Sequence, residues 1–486
     1  MMQFYNTLTH KKEDFVPREP GKVQMYVCGI TAYDLCHIGH ARAAVVFDVL
    51  VRYLRHSGYE VVFARNFTDV DDKIINRARE LGKPSEEVAE QYIDAFYQDM
   101  DRLEVLRADI EPRATEHIQD MQGLIQELLD TGHAYVTPSG DVYFRVRSFP
   151  DYGRLSGRNI EELKSGARIE PGEDKDDPLD FALWKRAKPE EPSWPSPWGD
   201  GRPGWHIECS AMSERFLGLP LDIHGGGQDL AFPHHENERA QTTAAKGIEF
   251  VNYWLHNGFV KVSSEKMSKS LGNFVTIRDI YEHYLPETLR FFLLSKHYRS
   301  PLDFTWEGMD EAEKGLKRIY QTLLLIETAL RRSAWSEDAL PQDVSEDLEQ
   351  NIKQWKASLD DDLNTAGALG YVFNLVRLAN RILEDKALSK AEQSREALVR
   401  IRETVLELGQ VLGLFGQDSQ TFLSSLRDIR SQRKRIDPVE VDDLLQQRQQ
   451  ARQDKDFTQA DAIRDRLSAM GVEIQDTPEG TKWDVA

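Results

Sequence analysis

Residues 23–28, Val-Gln-Met-Tyr-Val-Cys, form a short apolar run rich in strand-favouring side chains. Gly29 closes it, and from Ala41 to Leu54 apolar residues recur at helical spacing, among them Val45, Val49 and Leu50. Strand, glycine turn and helix in that order are the opening of a nucleotide-binding βα unit, which commits the chain to an α/β fold with a parallel, Rossmann-like sheet. A second strand is expected at Glu60 to Phe63, leading into Asn66-Phe67-Thr68-Asp69, and residues 76–132 read as mainly helical.

The texture then changes. Tyr135-Val136 and the run from Val142 to Val146 flank Pro138-Ser139-Gly140-Asp141, a β-hairpin pattern. The stretches Glu170 to Pro178 and Pro189 to Pro203 read as loops. Residues 135–203 are thus expected to be an insertion into a domain formed by 1–134 and 204–260, which resumes at Gly204-Trp205-His206 with a strand near Leu219 to Ile223 and a helix after Pro233. A connecting region is expected over 261–310. Beyond it the chain is helical: Leu316, Ile319, Tyr320, Leu323 and Leu330 make one apolar stripe, and Leu369, Val372, Phe373, Val376 and Leu383 another, as in a helix bundle over 311–415. A last segment, 427–486, opens with Arg427, Arg430, Arg433, Lys434 and Arg435 and carries Trp483 near its end.

At 486 residues the chain is too long for one core, so about two to four domains are expected. The start, Met1 to Thr7, lacks the layout of a signal peptide, and no run approaches the ~20 apolar residues of a membrane span. Three cysteines (Cys28, Cys36, Cys209) argue against a disulfide framework and for reduced thiols in the cytoplasm. The net charge of −21 opposes generic attraction to nucleic acid, so any RNA contact must come from local patches and shape.

His37-Ile38-Gly39-His40 lies between the first strand and its helix, where imidazoles can donate to phosphates and glycine lets a ligand approach backbone. Two histidines capping a helix would look the same. In Lys266-Met267-Ser268-Lys269-Ser270, two lysines three apart on a Ser/Gly-rich loop suit a mobile clamp that offsets charge on a pyrophosphate leaving group, though a basic surface loop would share the spacing. His234 and Glu238 are i, i+4 and so share one helix face, with His235 and Glu236 expected to face elsewhere. Joined by Cys28 and Cys209, they would give two thiolates, an imidazole and a carboxylate, a donor set that suits tetrahedral zinc. Lone cysteines are also commonly small buried apolar residues.

Together these motifs resemble the class I aminoacyl-tRNA synthetases, and within them the cysteine-specific family. The resemblance spans nearly the whole chain: Tyr26 to Thr31, Asn66 to Lys73, Trp205 to Met212, Asp222 to Leu230, Phe232 to Glu238, Leu289-Arg290-Phe291-Phe292 and Asp456 to Asp461. It implies a catalytic domain with an inserted segment, then an α-helical bundle and a small C-terminal anticodon-binding domain. It implies one Zn2+ per chain on Cys28, Cys209, His234 and Glu238, with Cys36 structural, and Mg2+ accompanying ATP. His37 and His40 would contact the ATP phosphates, Lys266 and Lys269 the transition state, and Gly226 and Gly227 would let adenosine approach. Gly29, Thr31, Thr68, Trp205, His224 and Asp229 would line the cysteine side, with His256 nearby. The implied reactants are L-cysteine, ATP and tRNA(Cys), handled by a cytoplasmic monomer with no membrane partner. The basic cluster would grip tRNA phosphates and Trp483 would stack on a base. Two rivals remain: a cysteine ligase that passes the adenylate to an amino sugar, and a non-catalytic zinc- and RNA-binding paralogue.

Overall fold

A computed structural model describes residues 1–159, 174–262, 265–266, 274–332, 335–336, 339–477 and 480–486. A hairpin of β1 (Gln3–Asn6) and β2 (Lys11–Asp14) precedes the expected βα unit. Its strand, β3 (Lys22–Thr31), runs past Gly29, and its helix is α1 (Ile38–His56). β4 (Glu60–Thr68) follows, then α2 (Asp72–Leu81), α3 (Ser85–Arg102) and α4 (Ile118–Asp130). Met25, Tyr26 and Val27 are consecutive and all buried, the pattern of a parallel strand covered on both faces rather than the alternation of a half-exposed one.

The insertion is a four-stranded antiparallel sheet, not a lone hairpin: β5 (Ala134–Val136), β6 (Val142–Phe144), β7 (Phe181–Arg186) and β8 (Gly201–Pro203), in that order. The main sheet resumes through α5 (Trp205–Leu217), β9 (Leu221–Gly227), α6 (Glu236–Lys246) and β10 (Val251–Asn257). β9 extends four residues past the expected end at Ile223, through His224 and three glycines that the strand propensity of its sequence disfavours. The sheet order is β10-β9-β3-β4, all parallel. Chain connections leave β3 towards β4 on one side and return to β9 on the other. Such a switch point opens a crevice at the C-terminal strand ends, here Thr31 and Gly227.

A small sheet ordered β12-β11-β13 follows, from β11 (Val260–Val262), β12 (Glu265–Lys266) and β13 (Leu302–Phe304); between its last two strands stand α7 (Ile277–Tyr281) and α8 (Pro286–Leu294). The bundle holds α9 (Trp306–Leu330), α10 (Gln342–Asp360), α11 (Thr365–Glu384), α12 (Glu392–Leu412) and α13 (Ser419–Lys434). Its apolar stripes pack into the same continuous core as β3, α1 and α8. A terminal unit of α14 (Pro438–Gln453), α15 (Phe457–Ala469) and the hairpin β14 (Val472–Thr477)–β15 (Gly480–Val485) has a separate small core. No described helix is long and apolar enough to cross a membrane.

The boundary expected at 427 falls inside α13, and the basic cluster there has other work than gripping phosphate. Arg433 Nη2 lies 2.8 Å and Arg430 Nε 3.2 Å from Glu313 Oε1 on α9. Arg430 and Lys434 also donate to the Ala486 carbonyl, at 3.2 and 2.5 Å. The Arg427 guanidinium stacks 4.7 Å from the Trp483 ring, whose Nε1 donates to Asp442 at 3.0 Å, so that ring is engaged within the protein. These cations staple the terminal unit to the bundle.

Candidate metal centre and nucleotide cavity

The ladder between β3 and β4 slips between Val27 and Ile30, taking Cys28 and Gly29 out of the regular pleat. A Cβ on Gly29 would stand 1.6 Å from the Asn66 carbonyl oxygen, so only glycine fits, and its N–H donates to Asn66 Oδ1 at 2.9 Å. This bulge brings Cys28 Sγ within 3.5 Å of Cys209 Sγ on α5 and 3.3 Å of Glu238 Oε1 on α6. His234, one helical turn before Glu238, places Nε2 2.7 Å from the same oxygen. Ligand atoms of all four residues lie within 4.8 Å of one another.

The set fits a zinc ion on two counts. Thiolates sharing a tetrahedral zinc with 2.3 Å bonds stand roughly 3.8 Å apart, close to the sulfur separation seen. His234 Nε2 is buried beside a carboxylate yet makes no aligned hydrogen bond, an orphan that a cation would satisfy. The protonation states are mixed: against burial, the Glu238 carboxylate and the bond to Cys209 raise the His234 imidazole to about 10, so it gives up a proton on binding a metal. Burial pushes the Cys28 thiol well up, reinforced by its bond to Cys209. Burial also acts against Cys209, but the bond from Cys28 and the adjoining His234 bring it to about 6. Against burial, His234 and His224 hold the Glu238 carboxyl well below its usual range. A thiolate and a carboxylate are therefore favoured in advance of a metal.

Behind these four stand three more histidines. His224 sits between two oxygen acceptors, with Nδ1 3.1 Å from the Tyr26 carbonyl and Nε2 2.5 Å from Glu238 Oε2. His235 does not face elsewhere, contrary to the helical expectation: its Nε2 lies 3.3 Å from Cys28 Sγ and its Nδ1 2.7 Å from His256 Nε2. Residues 231–235 form an irregular turn, extended at Phe232 (φ −144°, ψ 131°), but His235 is already helical (φ −67°, ψ −31°) and stands i, i+3 from Glu238, so both histidines turn inward beside it. Glu236 does face away, accepting from Ser156 at 2.8 Å. His256 Nδ1 meets the Thr7 hydroxyl at 2.8 Å. Burial keeps His235 well below its ordinary value and His256 at about 3, both neutral. Cys28, His224, His235 and Glu238 also crowd within 4.8 Å, with the Tyr26 carbonyl and His256 meeting Nδ1 of the two histidines.

A cavity of about 420 Å³ opens at the ends of β3 and β9. Cys28, Gly29, Thr31 and Trp205 line one part; His37, Gly39, His40, Gly226, Gly227 and Asp229 line another. The Trp205 ring stacks 4.2 Å from His234, joining cavity to metal ligands. The two readings of the histidine motif turn out to be compatible. His37 is the N-cap of α1, its Nδ1 accepting from the Gly39 N–H at 3.0 Å, while His40 Nδ1 accepts from the His37 N–H at 3.3 Å. With Nδ1 accepting, the ring nitrogen that can donate is Nε2.

Cys209, His224, His234, Glu238 and His256 stand behind the cavity wall rather than on it, as does Thr68, whose buried hydroxyl donates to Glu208 at 2.5 Å. Of the lysine motif, Lys266 contributes its backbone to β12, paired with Lys261; its side chain and Lys269 lie outside the described residues. Sequence reasoning passed over Lys73, 5.3 Å above the Tyr33 ring, and the wall from Asn257 to Val260, which no motif marks.

Family models match residues 14–314 to the class I (C) tRNA synthetase catalytic domain, 354–416 to the DALR domain, and 438–483 to the cysteinyl-tRNA ligase anticodon-binding domain. A cysteine–tRNA ligase of Oleidesulfovibrio alaskensis is 63% identical over 485 residues, and one of Nitratidesulfovibrio vulgaris 65% over 484, each covering 100% of both chains. Among solved structures, Mycobacterium tuberculosis methionyl-tRNA synthetase with methionyl-adenylate superposes with a TM-score of 0.62 at 17% identity, covering 83% of this chain and 93% of that one, a likeness of fold alone.

Proposed function

The chain belongs to the cysteine–tRNA ligase family, and on that premise we propose that Cys28, Cys209, His234 and Glu238 hold the zinc ion by which it tells cysteine from serine. The carrying observation is their convergence behind the wall of a cavity that Cys28 lines together with His37 and His40. A pocket judging size alone separates a thiol from a hydroxyl poorly. Zinc there supplies a soft Lewis acid that a thiolate ligates and an alcohol does not match, and a preference of ~5–7 kcal/mol gives ~10⁴–10⁵ in selectivity without editing.

The chain's own residues do the rest. The substrate carboxylate attacks the α-phosphorus of ATP, which arrives with Mg2+, forming cysteinyl-adenylate and releasing pyrophosphate. His37 and His40 donate through Nε2 to the phosphates, and Lys266 and Lys269 offset charge on the departing pyrophosphate. Gly29, Thr31, Trp205 and Asp229 bound the amino acid, and Gly226 and Gly227 admit the adenosine. His224 acts by orienting Glu238, and Thr68 by tying the end of β4 to α5 through Glu208. A ribose hydroxyl at the 3′ end of tRNA(Cys) then takes the cysteinyl group. The anticodon-domain match over 438–483 favours this acceptor over an amino sugar. The same reading makes the protein a cytoplasmic monomer.

Pyrophosphate exchange with cysteine, with serine and with neither, alongside metal analysis of the purified protein, tests the proposal. Exchange specific to cysteine and one zinc per chain are expected. A metal-free protein with full activity, or near-equal use of serine, would sink it.

A further inference from the structure

The turn joining α10 to α11 holds two successive non-glycine residues in the left-handed region, Asp362 at φ 60° and Leu363 at φ 49°. For leucine that conformation is costly and persists only when surroundings impose it. What imposes it is the Asp362 carboxylate, 1% exposed: Oδ1 accepts from the Tyr5 N–H at 2.9 Å and the Tyr298 hydroxyl at 2.8 Å, and Oδ2 from Arg299 Nε at 2.6 Å. The segment 297–300 is gripped a second time through its backbone. Arg42 Nη2 lies 3.2, 3.1 and 2.5 Å from the carbonyl oxygens of His297, Tyr298 and Ser300. Arg42 is wholly buried on α1, two residues after His40, and pairs with no carboxylate among the described residues. So costly a burial implies that the three carbonyls need a fixed cation.

The segment touches the cavity wall as well. The Gly258 N–H donates to the Tyr298 carbonyl at 2.8 Å, and a Cβ on Gly258 would stand 2.6 Å from the Arg299 oxygen, so only glycine lets this wall lie against 297–300. From there Val260 pairs with Leu302, and Lys261 with Lys266. One short segment thus meets the helix of His37 and His40, the wall that leads to the lysine loop, and a turn of the bundle.

We propose that Arg42 and Asp362 are positioning residues for adenylate formation: by fixing 297–300 between them they set the Gly258–Val260 wall relative to His37 and His40. This rests on the reading of the cavity as the place where cysteine meets ATP. In full-length protein, Arg42→Lys keeps the charge but draws the donor back from the position Nη2 holds among the three carbonyls, Asp362→Asn keeps the shape, and Tyr298→Phe removes one hydroxyl. Exchange kinetics against ATP and cysteine separately, metal content and Tm are compared with the parent. For Arg42→Lys and Asp362→Asn, kcat should fall about 10- to 100-fold, and for Tyr298→Phe about threefold, with metal content and the KM for cysteine held within about twofold. The double variant should lose little more than the worse single, because both act through one segment. Metal and cysteine affinity falling in step with kcat, or a double loss equal to the product of the singles, overturns the proposal. Should either charged-residue variant fail to fold, an unchanged kcat in Tyr298→Phe overturns it alone. Cysteine-dependent exchange in the parent reports on the functional reading; the ratio of variant to parent reports on this one.

Discussion

Around Cys28, six ionisable side chains (Cys28, Cys209, His224, His234, His235 and Glu238) crowd into the protein interior. Along α13, four cations that look equally purposeful in the sequence (Arg427, Arg430, Arg433 and Lys434) end in contacts with Glu313, Trp483 and the Ala486 carbonyl. Both are clusters of charge, yet only the first points outward to chemistry. A buried polar group costs several kcal/mol unless something satisfies it, so a buried cluster with an orphaned nitrogen asks for a ligand. The α13 cations instead meet an acidic or aromatic partner within the protein, Arg430 and Arg433 the buried Glu313 and Arg427 the Trp483 ring.

Substitutions can break that contrast. The largest effect is expected from Cys209→Ser, which removes a ligand: metal affinity should drop by more than the roughly 100-fold that losing an outer support costs, and use of cysteine should fall with it. Unchanged metal stoichiometry by elemental analysis would refute the ligand assignment. His224→Asn, which removes a support, should weaken metal binding about 10- to 100-fold. A loss equal to that of Cys209→Ser would make it a ligand instead. On the other side, Arg430→Met should cost about 3 kcal/mol in denaturant unfolding, because Glu313 is 4% exposed in its side chain and keeps only Arg433. It should leave the salt dependence of tRNA binding alone; a slope lower by about one would mean the cation does touch phosphate and the contrast fails.

The smallest effect tests a buried carboxyl outside either cluster. Burial pushes Glu287 on α8 up to about 7, overcoming the Phe415 N–H at 2.6 Å and the Tyr320 hydroxyl that favour its charged form. The folded state therefore holds a proton that the unfolded chain releases near 4.5. Stability is lost as pH rises between those values. Glu287→Gln removes this dependence and should gain up to about 2 kcal/mol on the parent from pH 4.5 to pH 8. Parallel Tm profiles for the two across that range would contradict it.

What could be read from the sequence follows the same line. The βα unit showed because apolar periodicity is local, and His234 with Glu238 because i, i+4 is a helix rule. His235 turns in as well because i, i+3 shares a helix face as i, i+4 does, a spacing the reading of the motif leaves out. Thr68 was set in the pocket as a residue type able to bind substrate, whereas its hydroxyl is taken by Glu208, from a helix 140 positions away. The grip of Arg42 is made on carbonyl oxygens, which every residue has and no sequence distinguishes. The partners of the α13 cations, Glu313 and Ala486, are distant in sequence, so the sequence shows the charges and not what meets them within the protein.

The core that runs unbroken from β3 through α8 into the bundle carries a consequence for how the molecule comes apart. That core joins β3, α1 and α8 to the helices behind them, so heat should melt these elements as one cooperative block, while a second core holds the insertion and α5. The terminal unit closes on seven buried apolar side chains of its own, from Ile436 to Val485. A calorimeter should record it as a small, early shoulder, lost first and regained first, while adenylate chemistry persists in the body that remains.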